Sequence, residues 1–280
     1  MIRLVTDSAS NVPEDIRSRY NIEVVPLKVI FGSESYREGN EISVDEFLRR
    51  LPHADPMPTT SQPSPLEFEE TFRAIVDAGD EVLCLVLSSK LSGTYNSARN
   101  AMIALEGAPI SLVDTLSISA GASMMLKAAG DMIEAGLDRE QIATRLQPLT
   151  EECELVLTLD TLEYLKRGGR IGGAQAFIGG LLKVKPTIIL KDGVLEAGER
   201  ARSRKKALGY IVERHANHFG DQPVWVGIAQ AAADDSSELE ALLRQRLNVQ
   251  TLIRSEIGPV ILTHTGPAVV GAAVIPAPDI

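Results

Sequence analysis

The chain has 280 residues, of which 44% are hydrophobic and 24% are charged, a balance that is typical of folded globular proteins and excludes disordered and fibrous classes. Its net charge of -10 disfavours general nucleic-acid binding, because phosphate backbones repel an acidic surface. Its two cysteines are too few for a disulfide framework or a cysteine-rich metal site.

Strands and helices alternate in the first half of the chain. Asn11 is expected to cap the first helix, and Ser43 and Ser64 each open a capping box, because a glutamate stands three residues after each of them. This alternation predicts a parallel sheet with helices on its faces. The predicted strands are Ile2–Thr6, Val24–Phe31, Glu81–Leu87 and Pro109–Val113, and the predicted helices are Pro13–Tyr20, Val44–Leu51, Pro65–Ala78, Gly93–Leu105 and Ser117–Ala135.

The second half of the chain has a different pattern. Asp192-Gly193 lies between two apolar runs, which is typical of a β-hairpin turn, and a hairpin predicts an antiparallel or mixed sheet. We therefore expect two α/β domains, residues 1–150 and residues 151–280. The predicted strands are Leu155–Leu159, Thr187–Leu190, Val194–Ala197, Val224–Gln230 and Val249–Ser255, and the predicted helices are Ser203–Asn217 and Ser236–Leu247.

The N-terminal segment gives an expectation about the compartment. Met1-Ile2-Arg3-Leu4-Val5 does not begin the succession of basic, apolar and small residues that forms a secretory signal peptide. Nor does any part of the sequence approach the ~18 consecutive apolar residues of a membrane-spanning helix. We therefore expect a cytoplasmic protein.

Four polar segments adjoin predicted strands. In a parallel sheet, the carboxyl ends of the strands line the crevice where ligands bind. Asp7 in the first segment could ligate a metal, but a single aspartate after a strand more often fixes a loop through backbone hydrogen bonds. The four segments are Thr6-Asp7-Ser8, Thr59 to Pro65, Leu87 to Tyr95, and His264-Thr265-Gly266-Pro267.

Hydroxyl side chains stand at two predicted helix starts. Ser92 occupies the expected N-cap of the helix at 93–105, and Gly93 allows a close approach of the backbone. A helix N-terminus carries free N–H groups and a partial positive charge, so a hydroxyl there can help to bind an anion. The alternative is that Ser92 only caps its helix, and that Thr60 and Ser61 only form a turn.

The sequence lacks the common nucleotide-binding and hydrolase motifs. It contains no P-loop, no dinucleotide-binding fingerprint and no nucleophile elbow. Two basic segments, Arg167 to Gly173 and Arg200 to Lys206, nevertheless stand out in an acidic chain. They indicate either solvated loops and helix ends or positive charge placed for an anionic ligand or partner.

Several segments, taken in order over nearly the whole chain, resemble the DegV family of bacterial fatty-acid-binding proteins. The most specific are Thr60-Ser61-Gln62-Pro63-Ser64, Leu91 to Tyr95, and Leu162 to Ile171. Asn11 stands where an aspartate is common in the family, and Ala268 where the family usually has glycine. The other matching segments are Thr6-Asp7-Ser8, Val113-Asp114-Thr115, Lys185-Pro186 and His264-Thr265-Gly266-Pro267.

The resemblance implies a fold and a ligand. The fold is an N-terminal parallel-sheet, Rossmann-like domain followed by a C-terminal α/β domain with a mixed or antiparallel sheet. The ligand is a long-chain fatty acid such as palmitate, stearate or oleate, held between the domains. Hydroxyls would bind the carboxylate, the histidine would join their network, and the two arginines would lie near the mouth or on a partner surface. The implied residues are Thr60, Ser61, Ser92, Gly93, His264, Arg170 and Arg202.

The resemblance also implies a carrier that has no turnover of its own. The chain would present its fatty acid to a separate fatty acid kinase, which makes an acyl-phosphate, and transient contact with a membrane surface would be compatible with this role. No catalytic residue, metal ion or other cofactor is expected. Two alternatives stay open: a phosphotransferase that itself binds phosphate at the glycine-rich basic tract, and a regulatory protein that binds another small anion.

Overall fold

The structure is a computed structural model that describes residues 1–177, 184–232 and 235–280, and every structural statement below refers to those residues. Its strands are β1 (Ile2–Asp7), β2 (Glu23–Val25), β3 (Lys28–Phe31), β4 (Glu34–Arg37), β5 (Thr59–Ser61), β6 (Glu81–Val86), β7 (Ile110–Asp114), β8 (Glu154–Thr158), β9 (Lys185–Lys191), β10 (Val194–Ala201), β11 (Pro223–Ala231), β12 (Asn248–Glu256) and β13 (Val269–Pro276).

The helices surround these strands, and short 3₁₀ turns at Ser8–Ser10, Leu51–His53 and Gly172–Phe177 supplement them. None of the described helices is both long enough and apolar enough to cross a membrane. The α-helices are α1 (Glu14–Arg19), α2 (Val44–Arg50), α3 (Pro65–Asp77), α4 (Thr94–Ala104), α5 (Ser119–Glu134), α6 (Arg139–Glu152), α7 (Glu163–Arg167), α8 (Arg204–Phe219), α9 (Ser236–Arg246) and α10 (Pro259–Thr265).

The N-terminal strands form a parallel sheet in the order β2-β1-β6-β7. Val5 of β1 pairs with Cys84 of β6, which pairs in turn with Leu112 of β7, so the carboxyl ends of these strands lie along one edge. β6 is buried from Val82 to Val86, as a parallel strand that is covered on both faces requires. The predicted parallel α/β sheet is confirmed.

The C-terminal strands form a mixed sheet in the order β10-β9-β8-β13-β11-β12. β11 and β12 are parallel, and the other neighbours are antiparallel. Asp192 and Gly193 connect β9 to β10 with φ values of 51° and 79°, the left-handed conformation that a tight hairpin turn requires at both positions. The predicted hairpin and mixed sheet are therefore confirmed.

A small antiparallel sheet, β4-β3-β5, adjoins the two larger ones. The predicted strand Val24–Phe31 is two strands in the structure. β2 belongs to the parallel sheet, and β3 pairs with β4 and β5 in the small sheet. β4, β5 and α6 were not predicted, because short polar strands and a helix of low amphipathicity give weak periodic signals. The register places Thr60 of β5 opposite Val29, at the border of the two large sheets.

Helix α5 packs against both large sheets. Twelve of its sixteen residues are buried, and Gly227 of β11 lies so close that a Cβ on it would stand 2.9 Å from the Cβ of Ala120. One apolar cluster therefore extends through residues of both sheets, including Leu83, Leu126 and Trp225. The predicted boundary near Thr150 falls in the last turn of α6, and the division into two domains stays a prediction.

The predicted cap of the first helix is wrong. Pro13 occupies the N-cap position of α1, and no side chain caps that helix. Asn11 instead follows the turn Ser8–Ser10 in a left-handed conformation, with φ of 46°, and its amide nitrogen donates to the carbonyl oxygen of Ser8 at 3.1 Å. Ser64 does form the predicted capping box, because its hydroxyl accepts from the N–H of Glu67 and the Glu67 carboxylate accepts from the N–H of Ser64.

Candidate functional site

A cavity of about 310 Å³ lies where the carboxyl edge of the parallel sheet meets the mixed sheet and α10. Its volume is at the lower end of the ~300–1,000 Å³ that is usual for small-molecule sites. Most of its surface is apolar and comes from loops after β1, β2, β6 and β7, from three strands of the mixed sheet, and from α7 and α10. This apolar wall comprises Ala9, Leu27, Leu87, Leu91, Ile118, Leu157, Leu165, Ile188, Leu195, Val260 and Ile261.

Polar side chains also line the cavity, and six of them make up the group that we call the polar cluster. It joins segments that are far apart in the chain, since Thr60 and His264 are 204 positions apart. All six of its members belong to segments that the sequence singled out, and five of them were predicted as site residues, whereas Gln62 was not. The polar cluster comprises Thr60, Ser61, Gln62, Ser92, Arg170 and His264.

Thr60 and His264 form the centre of the polar cluster. Thr60 Oγ1 lies 2.8 Å from Nε2 of His264, which stands in the last turn of α10. Burial, and to a smaller extent the nearby charge of Arg170, together lower the pKa of His264 from 6.5 to about 4. The imidazole is therefore neutral at pH 7, and one of its two ring nitrogens carries a proton.

The absence of a side chain at Gly168 leaves space for the ring of His264. A Cβ on Gly168 would lie 2.1 Å from Nδ1 of His264, so no larger residue fits there without moving the ring. Nδ1 is itself buried and has no hydrogen-bond partner among the described residues. Because Gly168 has no side chain, its backbone can lie close to the ring of His264 in α10.

The sequence predicts Ser92 as the N-cap of α4, but this prediction is wrong, because Ser92 precedes the N-cap position. Gly93 occupies the N-cap position, and the hydroxyl of Ser92 accepts a hydrogen bond from the N–H of Thr94 at 3.3 Å. A side chain at position 93 would displace Gln62, because a Cβ there would stand 2.3 Å from Oε1 of Gln62. Gln62 in turn donates from Nε2 to the hydroxyl of Ser97 on α4 at 3.2 Å, which ties the turn after β5 to this helix.

The two predicted arginines occupy different environments. Arg170 lines the cavity and donates to the carbonyl oxygens of Leu91 at 3.3 Å and Gly168 at 2.9 Å. It also lines a shallower depression of about 360 Å³ outside the mouth, to which Gly93 belongs. Arg202 is exposed between β10 and α8 and is not part of the cavity lining, so its role in ligand binding stays a prediction.

Two apolar segments of the sequence, Ala176–Leu182 and Val269–Ile275, are candidates for the walls of an acyl tunnel, although core packing is the more usual role of such segments. Residues 178–182 of the segment Ala176–Leu182 lie outside the described residues. Val269–Ile275 forms most of β13 inside the mixed sheet and belongs to the buried core, not to the cavity lining. The apolar wall itself draws on isolated positions such as Leu27 and Val260, which no sequence pattern marks.

Comparison with known proteins identifies the family. A sequence model described as "Uncharacterised protein, DegV family" matches residues 1–277. The chain belongs to the DegV family. A DegV domain-containing protein of Caldanaerobacter subterraneus is 36% identical over 274 residues, which cover 96% of this chain and 97% of that protein.

Solved structures of similar proteins share the fold over almost their whole length. A fatty-acid-binding DegV-family protein from Thermus thermophilus superposes with a TM-score of 0.92 at 38% identity and covers 99% of both chains. A stearic-acid-binding protein from Eubacterium ventriosum superposes with a TM-score of 0.90 at 31% identity, over 99% of this chain and 98% of that chain. These comparisons confirm the predicted family and fold class.

Proposed function

We propose that the cavity binds a long-chain fatty acid, with its carboxylate at the polar cluster and its acyl chain along the apolar wall. The observation that carries this proposal is a cavity in which an apolar wall occurs together with hydroxyl, imidazole and guanidinium side chains, two of which, Thr60 and His264, lie within hydrogen-bond distance of each other. The fatty-acid binding of the DegV-family protein from Thermus thermophilus and the stearic-acid binding of the similar protein from Eubacterium ventriosum support it.

The acyl chain would supply most of the binding free energy. Palmitate has about fourteen methylene groups, and burial of each contributes ~0.8 kcal/mol, or about 11 kcal/mol before the entropy lost on association. An apolar wall of aliphatic side chains provides the surface for this contribution. A short carboxylate would lose most of it and bind weakly.

The carboxylate needs hydrogen-bond donors, because an ionised group that is removed from water without partners is strongly destabilised. If Nε2 of His264 carries the imidazole proton, it donates to Thr60 Oγ1, and the hydroxyl proton of Thr60 is then free for a ligand oxygen. Ser92 and Ser61 add further hydroxyls, and Arg170 adds a positive charge. This inventory suits a single carboxylate.

Extraction of the purified protein tests this proposal. The protein is denatured in organic solvent, and the extract is analysed by mass spectrometry. We expect stoichiometric recovery of acids of roughly 14 to 18 carbons, since shorter chains bury too little surface. Stabilisation by short carboxylates but not by long-chain acids in a thermal-shift panel would overturn it in favour of a small-anion binder.

We also propose that the chain is a cytoplasmic carrier which presents the bound acid to a separate fatty acid kinase, and which contacts membrane surfaces transiently. The family resemblance supports this role, as does the position of Arg170 between the cavity and the outer depression. Incubation of the chain alone with ATP and oleate should give no acyl-phosphate. Formation of acyl-phosphate by the isolated chain would contradict the carrier role and favour a phosphotransferase.

A further inference from the structure

Asp7 holds two residues of the apolar wall by their backbone. Its side chain is fully buried at the end of β1, where Oδ1 accepts from the N–H of Ala9 at 2.9 Å and Oδ2 accepts from the N–H of Leu87 at 2.7 Å. Ala9 and Leu87 both line the cavity. The carboxylate therefore joins the loops that follow two neighbouring strands of the parallel sheet, and Asp7 itself does not line the cavity.

Ser8 and Glu38 hold a third wall residue between them. The hydroxyl of Ser8 accepts from the N–H of Leu27 at 3.0 Å, and the N–H of Glu38 donates to the carbonyl oxygen of Leu27 at 2.9 Å. Leu27 lies in the link between β2 and β3, which has no ladder of its own. The backbone N–H and the carbonyl oxygen of Leu27 are thus both hydrogen-bonded, the first to Ser8 and the second to Glu38.

Glu38 also holds the wall residue Val260. Its side chain is 5% exposed, and Oε1 accepts from the N–H of Val260 in the first turn of α10 at 2.8 Å. Gly258 permits this approach, because a Cβ there would lie 2.3 Å from Oε1 of Glu38. Val260 stands one turn before His264, so the position of α10 affects both the apolar wall and the polar cluster.

We propose that Asp7, Ser8 and Glu38, which we call the anchoring triad, are positioning residues that set the shape of the fatty-acid cavity through the backbone of its wall. The inference rests on the proposed function of that cavity. The three side chains form hydrogen bonds to four residues of the apolar wall, and none of the three lines the cavity itself.

A positioning role differs from a general contribution to folding. Glutamine at position 38 retains an amide oxygen that can accept from Val260, whereas alanine removes the acceptor and leaves a buried N–H unsatisfied. A matched control is Glu154, which is 2% exposed and pairs with Arg214 at 2.7 Å away from the cavity. Its removal also disturbs a buried carboxylate, but it leaves the apolar wall untouched.

The experiment measures the affinity for cis-parinaric acid, the fluorescence anisotropy of the bound probe, and the melting temperature, for Glu38→Ala, Glu38→Gln and Glu154→Ala. Loss of one buried acceptor should raise the Kd of Glu38→Ala about tenfold and lower the anisotropy of the bound probe, because a displaced wall holds it loosely. Glu38→Gln should stay within about threefold of the wild type. Glu154→Ala should lower the melting temperature without changing the Kd.

Three results would overturn the proposal: a Kd of folded Glu38→Ala like that of the wild type, a failure of Glu38→Gln to retain the affinity, or an equal rise of the Kd in Glu154→Ala. If Glu38→Ala does not fold, Ser8→Ala replaces it, with the same expected rise in Kd. Failure of the wild type itself to bind the probe would overturn the proposed function together with this inference. Wild-type binding with an unaffected Glu38→Ala would overturn this inference alone.

Discussion

The replacement Asp7→Asn should change the pH dependence of stability by an amount that the structure sets. Burial raises the pKa of Asp7, the N–H groups of Leu87 and Ala9 oppose this shift, and the carboxyl of Glu38 adds to it, with the net result that the pKa moves from 3.8 to about 7. The difference of about three pK units corresponds to about 4 kcal/mol of unfolding free energy, at ~1.4 kcal/mol per unit.

The sign of this contribution follows from the folded state binding the proton more tightly than the unfolded state. The stabilisation from Asp7 is fully present below pH 3.8 and is lost as the pH rises through about 7. Asparagine does not ionise and so loses nothing over this range. Because it offers one oxygen to two N–H donors, it destabilises the fold by about 1–3 kcal/mol at every pH.

Two histidines titrate in the same pH range, but they contribute equally to the unfolding free energies of the wild type and of Asp7→Asn. Burial lowers the pKa of His215 and of His264 from 6.5 to about 4 in each case, so their contribution to stability grows between about pH 4 and pH 6.5. Both histidines are present in the wild type and in the variant. The difference in unfolding free energy between the two proteins therefore isolates Asp7 and its interaction with Glu38.

Urea unfolding between pH 4 and pH 8 measures this difference. Trp225 is the single tryptophan and is buried, so its fluorescence reports the transition. We expect the unfolding free energy of the wild type to fall by about 4 kcal/mol relative to that of Asp7→Asn across the range, so that the wild type is the more stable protein at pH 4 and the less stable one at pH 8. The variant Asp221→Asn, at an exposed position, controls for the loss of a carboxylate as such. A difference between wild type and Asp7→Asn that does not vary with pH would refute the reasoning.

Two further predictions concern the polar cluster, and titration calorimetry with oleate checks both. Ser92→Ala should weaken binding by about 0.5–1.5 kcal/mol through the loss of one donor, and unchanged affinity in a folded variant would count against that role. Gly168→Ala should weaken binding because its Cβ would stand 2.1 Å from Nδ1 of His264 and displace the ring from Thr60. Gly209→Ala is its control, since a Cβ there meets nothing within 4 Å, and equal effects of the two would contradict the prediction.

Local signals account for the parts of the fold that the sequence predicted correctly. The buried strand β6, the capping box of Ser64 and the hairpin turn at Asp192-Gly193 depend on residues within a few positions of one another. Ser92 was misplaced as an N-cap because Gly93 has a backbone that starts the helix without a side-chain cap. Gln62 was missed because its role depends on the missing side chain of Gly93 and on Ser97, which the sequence does not bring together.

The sequence by itself determined the alternation of elements, the two kinds of sheet and the family, since these depend on periodicity, on turn chemistry and on an ordered set of segments. Only the tertiary structure decided that Thr60 meets His264 and that Arg202 stays outside the cavity. It also revealed that Asp7 and Glu38, which do not line the cavity, accept hydrogen bonds from the backbone of the apolar wall. The physical reason is that such contacts are set by the packing of sheets and of α10 against one another, which spacing along the chain does not encode.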